Sequence, residues 1–94
     1  MAAAISVEFE RKHGSGLHFS AVYINDERLP FDNDKAKAQL EPGKQFEVYW
    51  RIGGDPGSTF TLKYTAAGVT KTAIDGDKVP SGNTTWSDFT LIKL

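Results

Sequence analysis

Gln45-Phe46-Glu47-Val48-Tyr49-Trp50-Arg51-Ile52 alternates polar and apolar residues without a break, and most of them are aromatic or β-branched. This is the period-2 pattern of a half-buried strand. It predicts Phe46, Val48, Trp50 and Ile52 facing a core and Gln45, Glu47, Tyr49 and Arg51 facing outward. Pro42-Gly43 stops the chain before this stretch, and Gly53-Gly54-Asp55-Pro56-Gly57 turns it afterwards.

Strand patterns extend on both sides of it. Residues 5–12 place Ile5, Val7 and Phe9 on one face, and residues 17–24 place Leu17, Phe19, Ala21 and Tyr23 on one face. His13-Gly14-Ser15-Gly16 between them reads as the turn of a hairpin. Residues 28–31 give a short third strand, which Pro30 confines to an edge. Residues 32–44 lack strand character by this reading. Asp32 or Asn33 is expected to cap a turn or two of helix through Ala36, Ala38 and Leu40.

Downstream, residues 58–66 alternate cleanly, with Phe60, Leu62 and Tyr64 inward. Residues 69–74 are Thr-rich, an expected edge strand that Lys71 protects from pairing. Residues 75–83 read as a loop. Residues 84–94 close the chain, with a bulge expected near Ser87-Asp88 because Trp86, Phe89 and Leu91 break strict alternation.

The sum is an all-β chain, one domain over residues 1–94. The expected architecture is a seven-stranded antiparallel β-sandwich with immunoglobulin-like connections, and a small barrel is the alternative. A Trp on the central strand resembles the buried Trp of immunoglobulin domains, without the Cys pair that accompanies it there.

Composition narrows the function. The net charge is −1, from 11 basic and 12 acidic residues dispersed along the chain, which gives no electrostatic footprint for nucleic acid or an anionic membrane. With no cysteine, disulfides, thiolate nucleophiles and Cys-based zinc sites are excluded. Residues 1–5 carry no signal-peptide pattern, and a cytoplasmic location is expected. His13 and His18 flank the first turn and read as exposed turn residues rather than as a metal pair. Asp32-Asn33-Asp34 opens like a calcium loop, but Ala36 and Lys37 stand where that pattern needs a ligand and a glycine. No cofactor or metal is expected, and no nucleophile–base motif points to an enzyme.

Two function classes are left. One is a non-catalytic recognition module that binds a protein or carbohydrate through loops at one pole or an outer sheet face. The other is a small assembly subunit that self-associates through edge strands, so a homo-oligomer stays open. For the first class the candidate ligand-binding residues are Asp55, Asp75, Asp77, Lys78, Tyr49 and Trp86. The Asp residues and Lys78 lie on loops 53–57 and 75–83, which strand counting places at one pole. Tyr49 is expected on the outer face, and Trp86 just after a loop.

Overall fold

β5 (Gln45–Gly54) is an inner strand of a four-stranded sheet, paired with β2 (Leu17–Ile24) on one side and β8 (Thr85–Lys93) on the other. In this computed structural model, which describes residues 3–94, Phe46, Val48, Trp50 and Ile52 are all buried, as their register predicts. A second sheet faces this one. It runs β4 (Lys35–Leu40), β1 (Ile5–His13), β6 (Thr59–Ala66), β7 (Val69–Lys78), while β5's own sheet runs β3 (Glu27–Arg28), β2, β5, β8. Every strand pair is antiparallel. The all-β, two-sheet expectation holds, with eight strands among the described residues rather than seven. No helix occurs among those residues, hence none long and apolar enough to cross a membrane.

The extra strand is β4, where a helix was expected. Ala36, Ala38 and Leu40 are two residues apart, and they face inward opposite Phe9, Val7 and Ile5 of β1. The Lys-Ala composition favours helix locally, but β1 offers an open edge, and that tertiary pairing outweighs propensity. The turn into β4 uses Asn33 and Asp34 in the left-handed region (φ 53° and 65°), not as helix caps.

The expected first hairpin is also corrected. β1 and β2 lie in different sheets, and residues 14–16 carry the chain across the core. A hairpin and such a crossing have the same apolar periodicity; they differ only in whether the two apolar faces lie side by side or face each other. The crossing is tight. A Cβ on Gly54 would collide with the Gly16 carbonyl and come within 2.8 Å of the Leu17 Cα. The predicted 28–31 strand shrinks to two residues, with Leu29 buried and Pro30 beyond the ladder. β8 has no bulge: its register with β5 is unbroken. It looked irregular because apolar residues occupy both faces, Trp86 and Ile92 inward, Phe89 and Leu91 outward. The irregularities lie elsewhere, between Leu17 and Phe19 and between Phe60 and Lys63. The first of these turns Phe19 outward, away from the face it was expected to share with Leu17.

Three connections meet at one pole: residues 14–16, 55–58 and 79–84. Residues 25–26, 41–44 and 67–68 meet at the other. The 53–57 and 79–84 segments do sit together, as strand counting predicts. Without a full third strand, however, the His13–Gly16 turn joins them and the 25–26 turn does not.

Candidate functional site

The two outer faces differ sharply. On the first sheet the outward register reads Ser6, Glu8, Glu10 and Lys12 on β1, flanked by Lys35, Lys37 and Gln39 on β4 and by Thr61, Lys63 and Thr65 on β6. That is an ordinary solvated face. On the second sheet the outward register carries Phe19 and Tyr23 on β2, Tyr49 and Arg51 on β5, and Phe89 and Leu91 on β8. Tyr23 pairs with Tyr49, and Tyr49 with Phe89, so three aromatic rings form one row across three strands. The Tyr23 and Tyr49 centroids are 5.8 Å apart with the rings tilted by 48°, within the distance at which aromatic rings interact. Phe89 is 57% exposed, Leu91 52% and Phe19 45%. Tyr23, Tyr49, Asp26 and Arg51 line a shallow depression in this face.

Of the residues singled out from sequence, Tyr49 lies at the centre of this row. The others are dispersed. Asp55 is in the 55–58 turn, where its N–H donates to the Gly16 carbonyl (3.0 Å) and its own carbonyl accepts from the Ser58 N–H (3.1 Å). Asp75, Asp77 and Lys78 belong to β7 rather than to a loop; Asp75 and Lys78 are exposed. Asp77 points inward. Its Oδ2 accepts from the Trp50 indole N–H at 2.8 Å and the Trp86 indole N–H at 2.9 Å. Asp77 and Trp86 are thus brought together, in a latch that joins the edge of one sheet to the interior of the other. Among the described residues no group of three or more His, Asp or Glu side chains is placed to hold a metal.

Sequence reasoning missed Tyr23, Phe89, Phe19, Leu91 and Arg51. Only strand register puts the first two beside Tyr49, and register is set by pairing between distant segments.

A polar cluster also ties the sheets together at the inner face of β1. Arg11 donates from Nε to Asp34 Oδ1 (2.9 Å) and from Nη1 to the Ser20 hydroxyl (3.2 Å), and lies over the Phe31 ring, 4.6 Å from its centroid. His13 Nε2 is 2.7 Å from the same hydroxyl. His13 is therefore not the exposed turn residue expected, whereas His18 is exposed. A serine next to an imidazole is the minimum of a nucleophilic site. Here, though, Ser20 is 5% exposed and Arg11 shares its hydroxyl, the arrangement of a structural tie.

Burial holds the His13 pKa below its usual 6.5, helped by Arg11 and opposed by Asp34. The folded state then binds fewer protons than the unfolded one, so stability rises with pH across this window. The His13 contribution is full above about pH 6.5 and is lost as pH falls towards the lowered folded-state value. An NMR titration is expected to place the His13 midpoint below 6.5. His13→Gln should flatten this part of the stability–pH curve, and a His13 midpoint above 6.5 would contradict the assignment.

Comparison with protein-family models, with curated proteins and with solved structures finds no match to this chain.

Proposed function

We propose that this domain is a non-catalytic recognition module that docks a partner protein on the outer face of the β3-β2-β5-β8 sheet. The observation that carries this reading is the Tyr23–Tyr49–Phe89 row, extended by Phe19, Leu91 and Arg51, opposite a wholly polar face on the other sheet. Aromatic side chains and Arg are the types enriched at the centres of protein interfaces. Carbohydrate is the second reading, favoured by the Tyr49 depression with Asp26 and Arg51 beside it.

The edges offer less support for assembly by strand addition. β3 has two residues and is followed by Pro30, β4 carries Lys35 and Lys37, and β7 carries Lys71. β8 places Asp88 on its inward register, and the Asp88 carboxylate accepts the Phe89 N–H at 2.8 Å. Each of these devices discourages edge pairing.

The immunoglobulin-like kinship belongs to the same proposal. β1, β2, β4 and β5 alternate between sheets and pair as strands B, C, E and F of immunoglobulin domains do, and β8 flanks β5 as G flanks F. The β6–β7 hairpin has no counterpart in that strand set, and Trp50 is on the F-like strand rather than the C-like one.

Photo-crosslinking in the native host tests the docking face. With p-benzoylphenylalanine in place of Phe89, a discrete protein adduct is expected, and none with the same probe in place of Glu8. Tyr49→Ala should weaken that complex by about 2 kcal/mol or more, the size of a hot-spot loss. Adducts formed only from the Glu8 position would reject the face, and a shift caused by added oligosaccharide would move the reading to carbohydrate.

A further inference from the structure

β3 leaves part of β2 without a neighbour. It pairs only Arg28 with Tyr23 and Glu27 with Ile24, and the chain is out of the ladder by Pro30. The last bond on that side runs from the Leu29 N–H to the Val22 carbonyl at 2.8 Å. On the other side, the Asn25 N–H donates to the Glu47 carbonyl of β5 at 3.0 Å. Backbone groups of an antiparallel strand point alternately to its two neighbours. Tyr23 and Ala21 therefore bond to β5, while Val22 and Ser20 face the open edge. Ser20 is 5% exposed, yet its N–H meets no acceptor among the described residues. Its carbonyl has only Arg11 Nη1 at 3.5 Å, long for a hydrogen bond. Buried backbone groups are nearly always paired. A main chain continuing the line of β3 would supply the missing partners.

A depression of about 420 Å³ lies at this place. Ser20 of the inward register and Ala21 of the outward one both line it, so it sits on the edge of β2 and on neither face of the sheet. Arg11, Arg28, Leu29 and Phe31 form its other walls, and no acidic side chain does so among the described residues. Arg28 has no carboxylate within ion-pair distance; Arg11 gives its Nε–H to Asp34 and leaves Nη2 without a partner among the described residues. We propose that this edge accepts an extended acidic segment of a partner protein, added to β2 as a short strand in line with β3. Main-chain bonds to Ser20 hold the segment, and its carboxylates meet Arg11 and Arg28. The protective residues on β4, β7 and β8 do not reach this stretch. Pairing at an edge is also independent of the aromatic row.

The capped peptide acetyl-Val-Glu-Val-Glu-Val-amide, titrated into the domain and followed by amide chemical shifts and hydrogen exchange, tests the proposal. In the free domain the Ser20 amide should exchange faster than those of Ala21 and Tyr23. Saturable shifts centred on Ser20, Ala21 and Leu29 are expected, with Ser20 exchange slowed. The same peptide methylated at every backbone nitrogen should bind at least about tenfold more weakly, for two main-chain hydrogen bonds lost. The peptide with lysine in place of glutamate, and the original peptide with the Arg28→Glu variant, should each bind at least about fivefold more weakly. Arg28 is exposed, so the variant keeps its fold, and its amide spectrum verifies this. The proposal is overturned by equal affinity for the methylated or the lysine peptide, by unchanged affinity of the variant, by shifts centred on Tyr49 and Phe89, or by no saturation at millimolar peptide. Ser20 protection that rises with domain concentration alone would also overturn it, making a second copy the neighbour.

Discussion

Trp50→Ala is expected to lower stability by about 3–5 kcal/mol, the range for truncating a large buried aromatic. The ring is 5% exposed, between Val48 and Ile52 on the inward register of β5, so little of the vacated volume can be filled by neighbours. A domain of this length has about 5–14 kcal/mol in total. The variant is therefore expected to be substantially unfolded at 37 °C if the wild type lies at the low end of that range. Urea denaturation followed by far-UV circular dichroism measures the loss. Trp50→Phe separates two contributions, because it keeps most of the packing and removes the indole donor to Asp77. It should cost about 1–2 kcal/mol, most of it from that hydrogen bond to a charged acceptor. A midpoint for Trp50→Ala within a few tenths molar of wild type would show that the ring is not part of the core.

The second large effect is expected at Asp77. One carboxylate oxygen serves two indoles, so Asp77→Ala strips the acceptor from both at once. Leaving a buried donor unpaired costs about 1–3 kcal/mol. Trp50 bears that cost fully and the half-exposed Trp86 in part, which gives about 2–4 kcal/mol for the pair. Asp77→Asn retains a carbonyl oxygen at the same place and should lose only about 1 kcal/mol, the difference between a charged and a neutral acceptor. The double variant Asp77→Ala/Trp86→Phe tests the coupling, since it should be less destabilised than the sum of its two single changes. Strict additivity would mean that the latch contributes nothing as a unit.

Asp77 also shows why the candidate site was only partly legible. An Asp between Gly76 and Lys78 has the sequence signature of a turn, and nothing nearby reveals that β7 continues through it or that two indoles await its carboxylate. β5 was legible because Pro42-Gly43 and Pro56-Gly57 isolate it and its alternation is unbroken. The outward face of Tyr49 followed from that alternation alone. Its neighbours did not: Tyr23 and Phe89 come from segments about 26 and 40 residues away in sequence, and a shift of one residue in either register would turn them inward. β4 was hidden for another reason. Its alternating residues are alanines, which carry a weak hydrophobic signal and a strong helical one. The arch at residues 14–16 was not legible at all, since the sequence around it suits a hairpin equally well.

That arch has a consequence for how the chain reaches its native state. Because β1 and β2 part company at once, neither can be completed by the other. β1 waits for β4 and β6, and β2 finds only the two-residue β3 close at hand before it needs β5. Among the described residues, the sole extended hairpin between neighbouring strands is β6–β7. Topologies dominated by such distant pairings close long loops before any pairing rewards them, and they fold on the millisecond-to-second scale rather than in microseconds. During synthesis the sheet that holds β1 gains its inner pair only when β6 arrives, and the other sheet is complete only when β8 arrives. Until then Val7, Phe9, Val22 and Trp50 have no complete core to enter, so the nascent domain stays exposed to aggregation until β8 has emerged.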